Sequence, residues 1–179
     1  PHLSIINLKS QNIVSVGNLP RYTNMIKISP NAKMLAIIVY HPAQQLVLEP
    51  HTQNGYNQLF VAKFSDDHTK LVGIRALTPK HMQVGGDDFS WTPDSQSLIF
   101  IAEPFSGPGL TYQGRLSQIN VHRKNIKQFF RKSNYFNYPQ ISHDGKHLAY
   151  LSNQAIPAGK PYNFDYFLAH HMIQACVLN

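Results

Sequence analysis

Residues 88–103, DFSWTPDSQSLIFIAE, decide the fold, because related stretches occur twice more in the chain. Weaker copies occupy 25–40 (MIKISPNAKMLAIIVY) and 138–153 (YPQISHDGKHLAYLSN), and the three copies are spaced by 63 and 50 residues. Each copy consists of a short apolar segment, a polar turn and a strongly apolar segment, which is the pattern of two strands joined by a turn. A unit that recurs at this period indicates an architecture of stacked repeats.

Other strand patterns lie before, between and after the copies. They are found at 3–8, 13–16, 58–64, 70–77, 115–121 and 126–131, and the tail 164–178 fits two strands, although its part HHMIQACVL fits a short helix equally. Together with the two strands of each copy, these segments make two strands followed by three groups of four, which is about three and a half four-stranded units. The sequence therefore predicts an all-β fold, a partial β-propeller of about three and a half four-stranded blades, since complete propellers have about four to eight blades.

The repeat also predicts how the chain is divided. We expect the remnant of one blade at 1–19 and three blades at about 20–78, 79–132 and 133–179, all in a single domain. The segment 78–87, which contains Gly85 and Gly86, is predicted to be a linker into the central copy.

The second strand of the first copy is predicted to be buried on both faces. Residues 34–40 are almost entirely apolar, as in a strand that lies between stacked sheets. Trp91, the only tryptophan, stands just before the central turn. A large aromatic side chain at this position is expected to pack between blades, and a role as a ligand platform is the less favoured alternative.

The turns of the three copies differ at the position that requires a positive φ. Gly145 meets this requirement freely, whereas Ala32 and Ser95 occupy the same position in the other two copies. A left-handed conformation costs a residue with a Cβ about 1–2 kcal/mol. We therefore predict that the turns at Ala32 and Ser95 are distorted relative to the turn at Gly145.

The repeat resembles that of a known propeller family. WTPDSQSLIF, SPNAKMLAII and SHDGKHLAYL resemble the W-S-P-D-G-K-x-[IL]-A-[FY] repeat of TolB-like, WD40-like propellers, a family that includes the propeller domains of prolyl-oligopeptidase-type serine peptidases. LSIINLKSQNIVSV and RLSQINVHRKNIKQFF resemble the L-Y-V-x-D-L-x-T-G segment of such blades. The resemblance extends to about Tyr166 and implies a fold rather than an activity, since one fold serves many functions.

Several positions depart from the family pattern. Glycine is missing at Ala32 and Ser95, His143 stands in place of proline, and Lys63 and Asn120 stand where aspartate is usual.

Composition limits the possible functions. The formal charge of +7 favours anionic partners in general without identifying one. A single cysteine, Cys176, excludes an internal disulfide framework and leaves the cellular compartment undetermined. The resemblance implies a periplasmic protein if the chain is TolB-like, and a cytoplasmic or periplasmic one if it is peptidase-like. No stretch reaches the 18 or more apolar residues of a membrane helix, so we expect no membrane span.

No residue pattern indicates catalysis. A peptidase of the resembling family needs a Gly-x-Ser-x-Gly nucleophile elbow, and the chain has none. Glu49 and Glu103 stand alone, whereas the dipeptidyl-peptidase branch uses adjacent glutamates. The acidic pairs at 66–67 and 87–88 lack the ladder of a calcium loop, and the ten histidines are interpreted as structural or exposed. We expect no catalytic residue, no metal and no cofactor in this chain.

Basic side chains in the second predicted blade raise the alternative of binding to nucleic acid or another polyanion. They are Arg115, Arg123, Lys124, Lys127, Arg131 and Lys132, with aromatic residues nearby. Such a set is compatible with nucleic acid or another polyanion. The alternation of apolar and polar residues over 126–131 favours a solvated outer strand instead.

The connections between second and third strands provide the most specific functional prediction. Antiparallel strands alternate in direction, so these connections, at 41–57, 103–114 and 153–163, should all leave from one face, together with the linkers 78–87 and 132–137. Long loops on a rigid scaffold are where binding usually occurs. The candidate interaction residues on them are Tyr56, Glu103, Phe105, Tyr112 and Tyr162.

We therefore expect a non-catalytic propeller scaffold that binds a protein or peptide, and that is part of a larger propeller. The alternative is a fragment of the propeller domain of a prolyl-oligopeptidase-type serine peptidase, which would gate peptide access to a separate hydrolase domain. Self-association through open blade edges is a further expectation, because unpaired edge strands tend to pair.

Overall fold

The computed structural model describes residues 1–42, 55–80, 82–104, 114–129, 136–153 and 171–177. These ranges contain thirteen strands and no helix. The strands are β1 (His2–Ile6), β2 (Ile13–Asn18), β3 (Thr23–Ile28), β4 (Met34–His41), β5 (Tyr56–Phe64), β6 (Leu71–Ala76), β7 (Met82–Trp91), β8 (Ser97–Pro104), β9 (Arg115–Asn120), β10 (Ile126–Gln128), β11 (Phe136–Ile141), β12 (His147–Asn153) and β13 (His171–Val177). The predicted all-β fold is confirmed, and the tail segment that also fitted a helix forms β13.

The strands form four antiparallel sheets. The N-terminal hairpin contains β1 and β2, the first blade β3 to β6, the second blade β7 to β10, and the third blade β11 to β13. Within each sheet the strands follow one another in chain order. This succession of short antiparallel sheets confirms the predicted partial propeller. The exact limits of the blades along the chain stay a prediction.

The second strands of the first and second blades, β4 and β8, are buried on both faces, as predicted for β4, whereas Ala149 in the second strand of the third blade is exposed. In β4, Leu35, Ile37 and Val39 pack in one apolar cluster with Val16 of the N-terminal hairpin. The alternate residues of β4, such as Ile38, pack in another cluster with the second blade. Burial on both faces explains why β4 has no polar side, because each face of the sheet meets a neighbouring sheet.

The same arrangement recurs one blade further along the chain. In β8, Leu98 and Phe100 face the first blade, whereas Ile99 and Ile101 face the third blade and pack near Leu148. Three apolar clusters therefore alternate with four sheets, and the sheets stack face to face in the order of the chain.

Trp91 lies at the junction of the first and second blades. Its side chain is buried in the cluster that both blades form, and its Nε1–H donates to the carbonyl oxygen of Lys27 in β3 at 2.9 Å. The Lys27 ammonium in turn donates to the carbonyl oxygen of Phe89 at 2.6 Å. The predicted role of Trp91 in packing between blades is confirmed.

The predicted linker at 78–87 is wrong over most of its length. Strand β7 begins at Met82 and includes Gly85 and Gly86, and its pairing with β8 shifts register between Val84 and Phe89. A Cβ at Gly85 would lie 3.1 Å from the Cβ of Ile101. The glycines mark a bulge and a close approach within a strand, and this irregularity hides the strand pattern in the sequence.

The prediction of two distorted turns is also wrong. Ala32, Ser95 and Gly145 have φ values of 57°, 60° and 74°. The N–H of each donates to the carbonyl oxygen three residues earlier, at 2.8, 2.8 and 2.9 Å. The three turns therefore share one conformation, whether or not the left-handed residue is glycine.

Side chains hold this conformation in the same way in each turn. The Ser or Thr hydroxyl donates to the Asn or Asp side chain two residues on, at 2.8 Å for Ser29, 2.6 Å for Thr92 and 2.5 Å for Ser142. That side chain also accepts the N–H two residues further on, at 3.0 Å in all three turns. Local bonds of this kind favour turns over other backbone conformations.

A fourth turn of this type joins β5 to β6. The Ser65 hydroxyl donates to Asp67 at 2.6 Å, the carboxylate accepts the Thr69 N–H at 3.1 Å, and His68 has a φ of 57°. These bonds, with that from Ser65 first, lower the pKa of Asp67 from 3.8 to about 2. The turn motif is therefore independent of the position of the turn in the blade.

Candidate interaction face

The turns between first and second strands lie side by side at one end of the blades. The Asn31 N–H donates to the Ser95 hydroxyl at 3.1 Å, which joins the first turn to the second. Pro93 of the second turn lies against Gly145 of the third, 3.6 Å from the position of a Cβ there. We call this end the turn end.

The second strands run from the turn end to the opposite end, which we call the loop face. There β4 ends at His41, β8 at Pro104 and β12 at Asn153. The third strands pair antiparallel with them and begin at this same end, as Tyr56 does opposite His41. The connections between second and third strands therefore leave from one face. The prediction of a common face is confirmed for the strand ends that the structure describes.

Of the five candidate interaction residues, Tyr56 is the one whose side chain is described. It is half-buried at the start of β5, and its ring stacks on that of His41 at 4.7 Å between centroids and 16° between planes. The backbone of Glu103 lies in β8, opposite Gln83. Phe105, Tyr112 and Tyr162 lie outside the described residues, as do most of the three connecting loops.

The loop face of the first blade carries aromatic residues that the sequence reasoning missed. Tyr22 is exposed, has a φ of 64°, and has the Arg21 guanidinium 5.0 Å from its ring centre. The N–H of Tyr40 donates to the carbonyl oxygen of Tyr22 at 3.0 Å. The Tyr22 ring is thus presented to solvent beside the end of β4.

His41 is the most unusual group on this face. Its Nε2 is buried without a hydrogen-bond partner among the described residues, and its ring centre lies 4.7 Å from that of Tyr56 and 6.2 Å from that of Phe60. A Cβ at Gly55 would clash with the His41 carbonyl oxygen and the Tyr40 phenol. The sequence feature that could have identified His41 is the pair Tyr40-His41, which follows an otherwise aliphatic strand at its carboxyl end.

The described basic side chains of the second blade do not form one cluster. Arg115 lies at the loop-face end of β9 and donates to the Gln128 side chain at 3.0 Å, whereas Arg123 and Lys124 lie in the turn after β9. Lys127 lies 5.8 Å from the ring centre of Phe129. Arg131 and Lys132 lie outside the described residues. The described basic side chains are thus spread out, which agrees with the interpretation of residues 126–131 as a solvated outer strand.

The described residues form neither a metal site nor a membrane helix. Within these ranges, no group of three or more His, Cys, Asp or Glu side chains is placed to hold a metal ion. The same ranges contain no helix of the length and hydrophobicity needed to cross a membrane.

Fold and site together define the class of protein: a segment of a β-propeller with an aromatic loop face. Solved structures support this class. A putative TolB from Agrobacterium tumefaciens matches 99% of this chain over 57% of its own, with a TM-score of 0.55 and 14% identity. TolB from Acinetobacter baumannii matches 89% of this chain over 33% of its own, with a TM-score of 0.53 and 15% identity.

A peptidase is among the similar structures as well. A puromycin-hydrolyzing peptidase from Mycobacterium tuberculosis matches 81% of this chain over 20% of its own, with a TM-score of 0.55 and 16% identity. No protein-family model and no curated protein matches the chain. The resemblance to TolB-like and peptidase propellers is thus confirmed for the fold, and the chain spans from a fifth to just over half of these three structures.

Proposed function

We propose that this chain is a non-catalytic propeller scaffold that binds a protein or peptide partner through its loop face. One observation carries the proposal: the connections between second and third strands all leave from the loop face, where Tyr22, Tyr40 and Tyr56 lie. Rigid sheets fix the ends of these connections, and loops on such a scaffold are suited to recognition.

The side chains of this group are suited to an extended peptide. Tyr22, Tyr40 and Tyr56 offer rings with a polar tip, and such residues dominate the energy of many protein interfaces. Arg21 adds a cation that can pair with a carboxylate. The His41 ring stacks on that of Tyr56 beside these tyrosines.

Selection from a phage-displayed random peptide library on the immobilised chain tests the proposal. Selected peptides would then be measured by fluorescence polarisation against the wild type, Tyr22→Ala, Tyr56→Ala and His143→Ala. The first two variants change the loop face, whereas His143→Ala removes an exposed ring at the turn end and serves as the control.

We expect the two tyrosine variants to weaken binding by about tenfold or more, as truncation of an aromatic anchor commonly does, and the control to bind as the wild type does. Equal affinity for all four proteins would contradict a binding site on the loop face.

A second candidate function is that of a propeller segment of a serine peptidase. The match to a peptidase over 20% of its length favours it, as do the long repeat spacings of 63 and 50 residues. In that case the loop face would orient peptide for a hydrolase domain. The sequence of the intact gene distinguishes the two functions: a Gly-x-Ser-x-Gly motif downstream of Asn179, followed by Asp and His, supports the peptidase.

A further inference from the structure

The N-terminal hairpin repeats the β9–β10 hairpin of the second blade. Asn7 and Asn120 each accept, through the side-chain oxygen, the N–H groups two and three residues further on, at 2.9 to 3.0 Å. Gln11 and Lys124, each four residues after the asparagine, have φ values of 58° and 55°. Their N–H groups donate to the carbonyl oxygens of Asn7 and Asn120 at 2.7 and 2.9 Å.

Side-chain positions agree with this equivalence. Ile6 lies opposite Ile13 across the N-terminal hairpin, as Ile119 lies opposite Ile126 in the second blade. Ile119 is fully buried against the first blade, whereas Ile6 and Ile13 are 50% and 69% exposed. The N-terminal hairpin therefore has the structure of the third and fourth strands of a blade whose surroundings are incomplete.

The equivalence identifies an unpaired edge. In the second blade, β9 pairs with β10 on one edge and with β8 on the other. The corresponding strand β1 pairs with β2, and within the described residues no strand pairs with its other edge. That edge offers backbone N–H and C=O groups to a further strand.

An apolar surface is open beside this edge. Alignment of Ser29 with Thr92 places Ile26 and Ile28 of β3 at the positions of Phe89 and Trp91 in β7. Phe89 and Trp91 are 0% and 6% exposed, because the preceding blade covers them. Ile26 and Ile28 are 40% and 53% exposed.

We propose that the free edge of β1, together with Ile26 and Ile28, is a docking surface for a two-stranded antiparallel unit from polypeptide outside these 179 residues. The other blades predict the character of the two strands in this unit. Its strand beside β1 corresponds to β8 and is apolar on both faces, and its other strand corresponds to β7. Binding by strand addition combines backbone hydrogen bonds with apolar side-chain contacts.

A second copy of the chain is the less suitable occupant. The three strand pairs with this pattern, β3–β4, β7–β8 and β11–β12, are already part of sheets, so none is free to bind a neighbour. The docking surface is separate from the loop face, and the proposal does not depend on the proposed function.

Pairing geometry provides a matched pair of variants. The Asn7 N–H donates to the Asn12 carbonyl oxygen, and pairing alternates along antiparallel strands, so the N–H of Ser4 points to the free edge of β1. Ser15 lies directly opposite in β2, and its N–H points away from β1. Ser4→Pro thus removes a donor from the docking edge, and Ser15→Pro removes one from the opposite edge.

The test measures binding of a fluorescently labelled synthetic peptide with the sequence of residues 88–103, which carries the first and second strands of the central copy. The proteins are the wild type, the two proline variants, Ile28→Glu and Val72→Glu. Val72 is a control because it is an exposed aliphatic residue on the outer strand β6 of the same blade. Thermal unfolding confirms that each variant is folded.

We expect saturable binding of one peptide per chain, weakened about tenfold or more by Ser4→Pro and by Ile28→Glu and little by the two controls. Absence of binding to the wild type, or equal binding to all five proteins, would overturn the proposal. A dimer in light scattering that Ser4→Pro alone dissociates would also overturn it, because a second copy would then cover the surface.

Discussion

Ala32 and Ser95 hold a left-handed position at which glycine is the residue without a steric cost. The cost of about 1–2 kcal/mol is offset by the hydrogen bonds of the turn, each of which contributes about 0.5–1.5 kcal/mol. Ser95 differs from Ala32 in one respect: its hydroxyl is fully buried and accepts the Asn31 N–H of the neighbouring turn. The two residues should therefore respond differently to replacement by glycine.

Ala32→Gly is expected to raise the free energy of unfolding by about 0.5–1 kcal/mol, because relief of the left-handed strain exceeds the added entropy of the unfolded chain. Ser95→Gly is expected to be neutral or destabilising by about 1 kcal/mol, because the Asn31 N–H loses its acceptor. Urea unfolding followed by circular dichroism measures both. Equal stabilisation by the two variants would show that the bond between the turns contributes nothing.

Trp91 joins two blades through a hydrogen bond as well as through its buried ring. Trp91→Phe retains an aromatic ring but leaves the Lys27 carbonyl oxygen without the indole donor. We expect a loss of about 1–3 kcal/mol in the free energy of unfolding, and Trp91→Ala should lose about 3–5 kcal/mol. A Trp91→Phe protein as stable as the wild type would indicate that the ring alone is important.

At the scale of single elements, the β5–β6 turn should make stability depend on pH. The folded state lowers the pKa of Asp67 from 3.8 to about 2, so the ionised carboxylate favours the folded state. This contribution is complete above about pH 5 and is lost progressively as the pH falls through 3.8 to below 2. The pKa of Asp144 is lowered as well, chiefly because the Ser142 hydroxyl donates a hydrogen bond to its carboxylate.

Asp67→Asn should keep the turn, because Asn31 makes the equivalent bonds in the first turn. We expect the variant to lose less stability than the wild type between pH 4 and pH 2, measured by urea unfolding at each pH. Asp66→Asn, at the adjacent exposed carboxylate, is the control and should follow the wild type. A wild-type pH profile for Asp67→Asn would contradict the role of the carboxylate.

The sequence predicted those elements whose residues alternate or form apolar runs. Strands β4 and β8 were predicted because burial on both faces requires an uninterrupted apolar run. Strand β7 was missed at Gly85-Gly86, where a close approach to Ile101 replaces alternation. The turn at Ser65 was not grouped with the other three. It makes the same hydrogen bonds, but it joins β5 to β6, and the sequences of these two strands do not resemble the repeat.

At the scale of the whole molecule, the face of the candidate site was predictable and most of its described residues were not. The face follows from strand direction alone, which the repeat determines. His41 became a candidate through its stacking on Tyr56 and the burial of its Nε2, and Tyr22 through its exposure and its contact with Arg21, all of which depend on strand register. Phe105, Tyr112 and Tyr162 stay predictions.

Two surfaces with different chemistry result from one repeat. The loop face presents aromatic rings at strand ends, whereas the β1 edge presents backbone groups beside Ile26 and Ile28.

Hydrogen exchange of the chain, with and without a peptide selected from the random library, tests whether the loop face is the binding surface. We expect added protection at the loop face, in the backbone at 21–23, 40–42 and 55–57, because bound groups open less often. Protection confined to the turn end, at 29–34, 92–97 and 142–147, would contradict it.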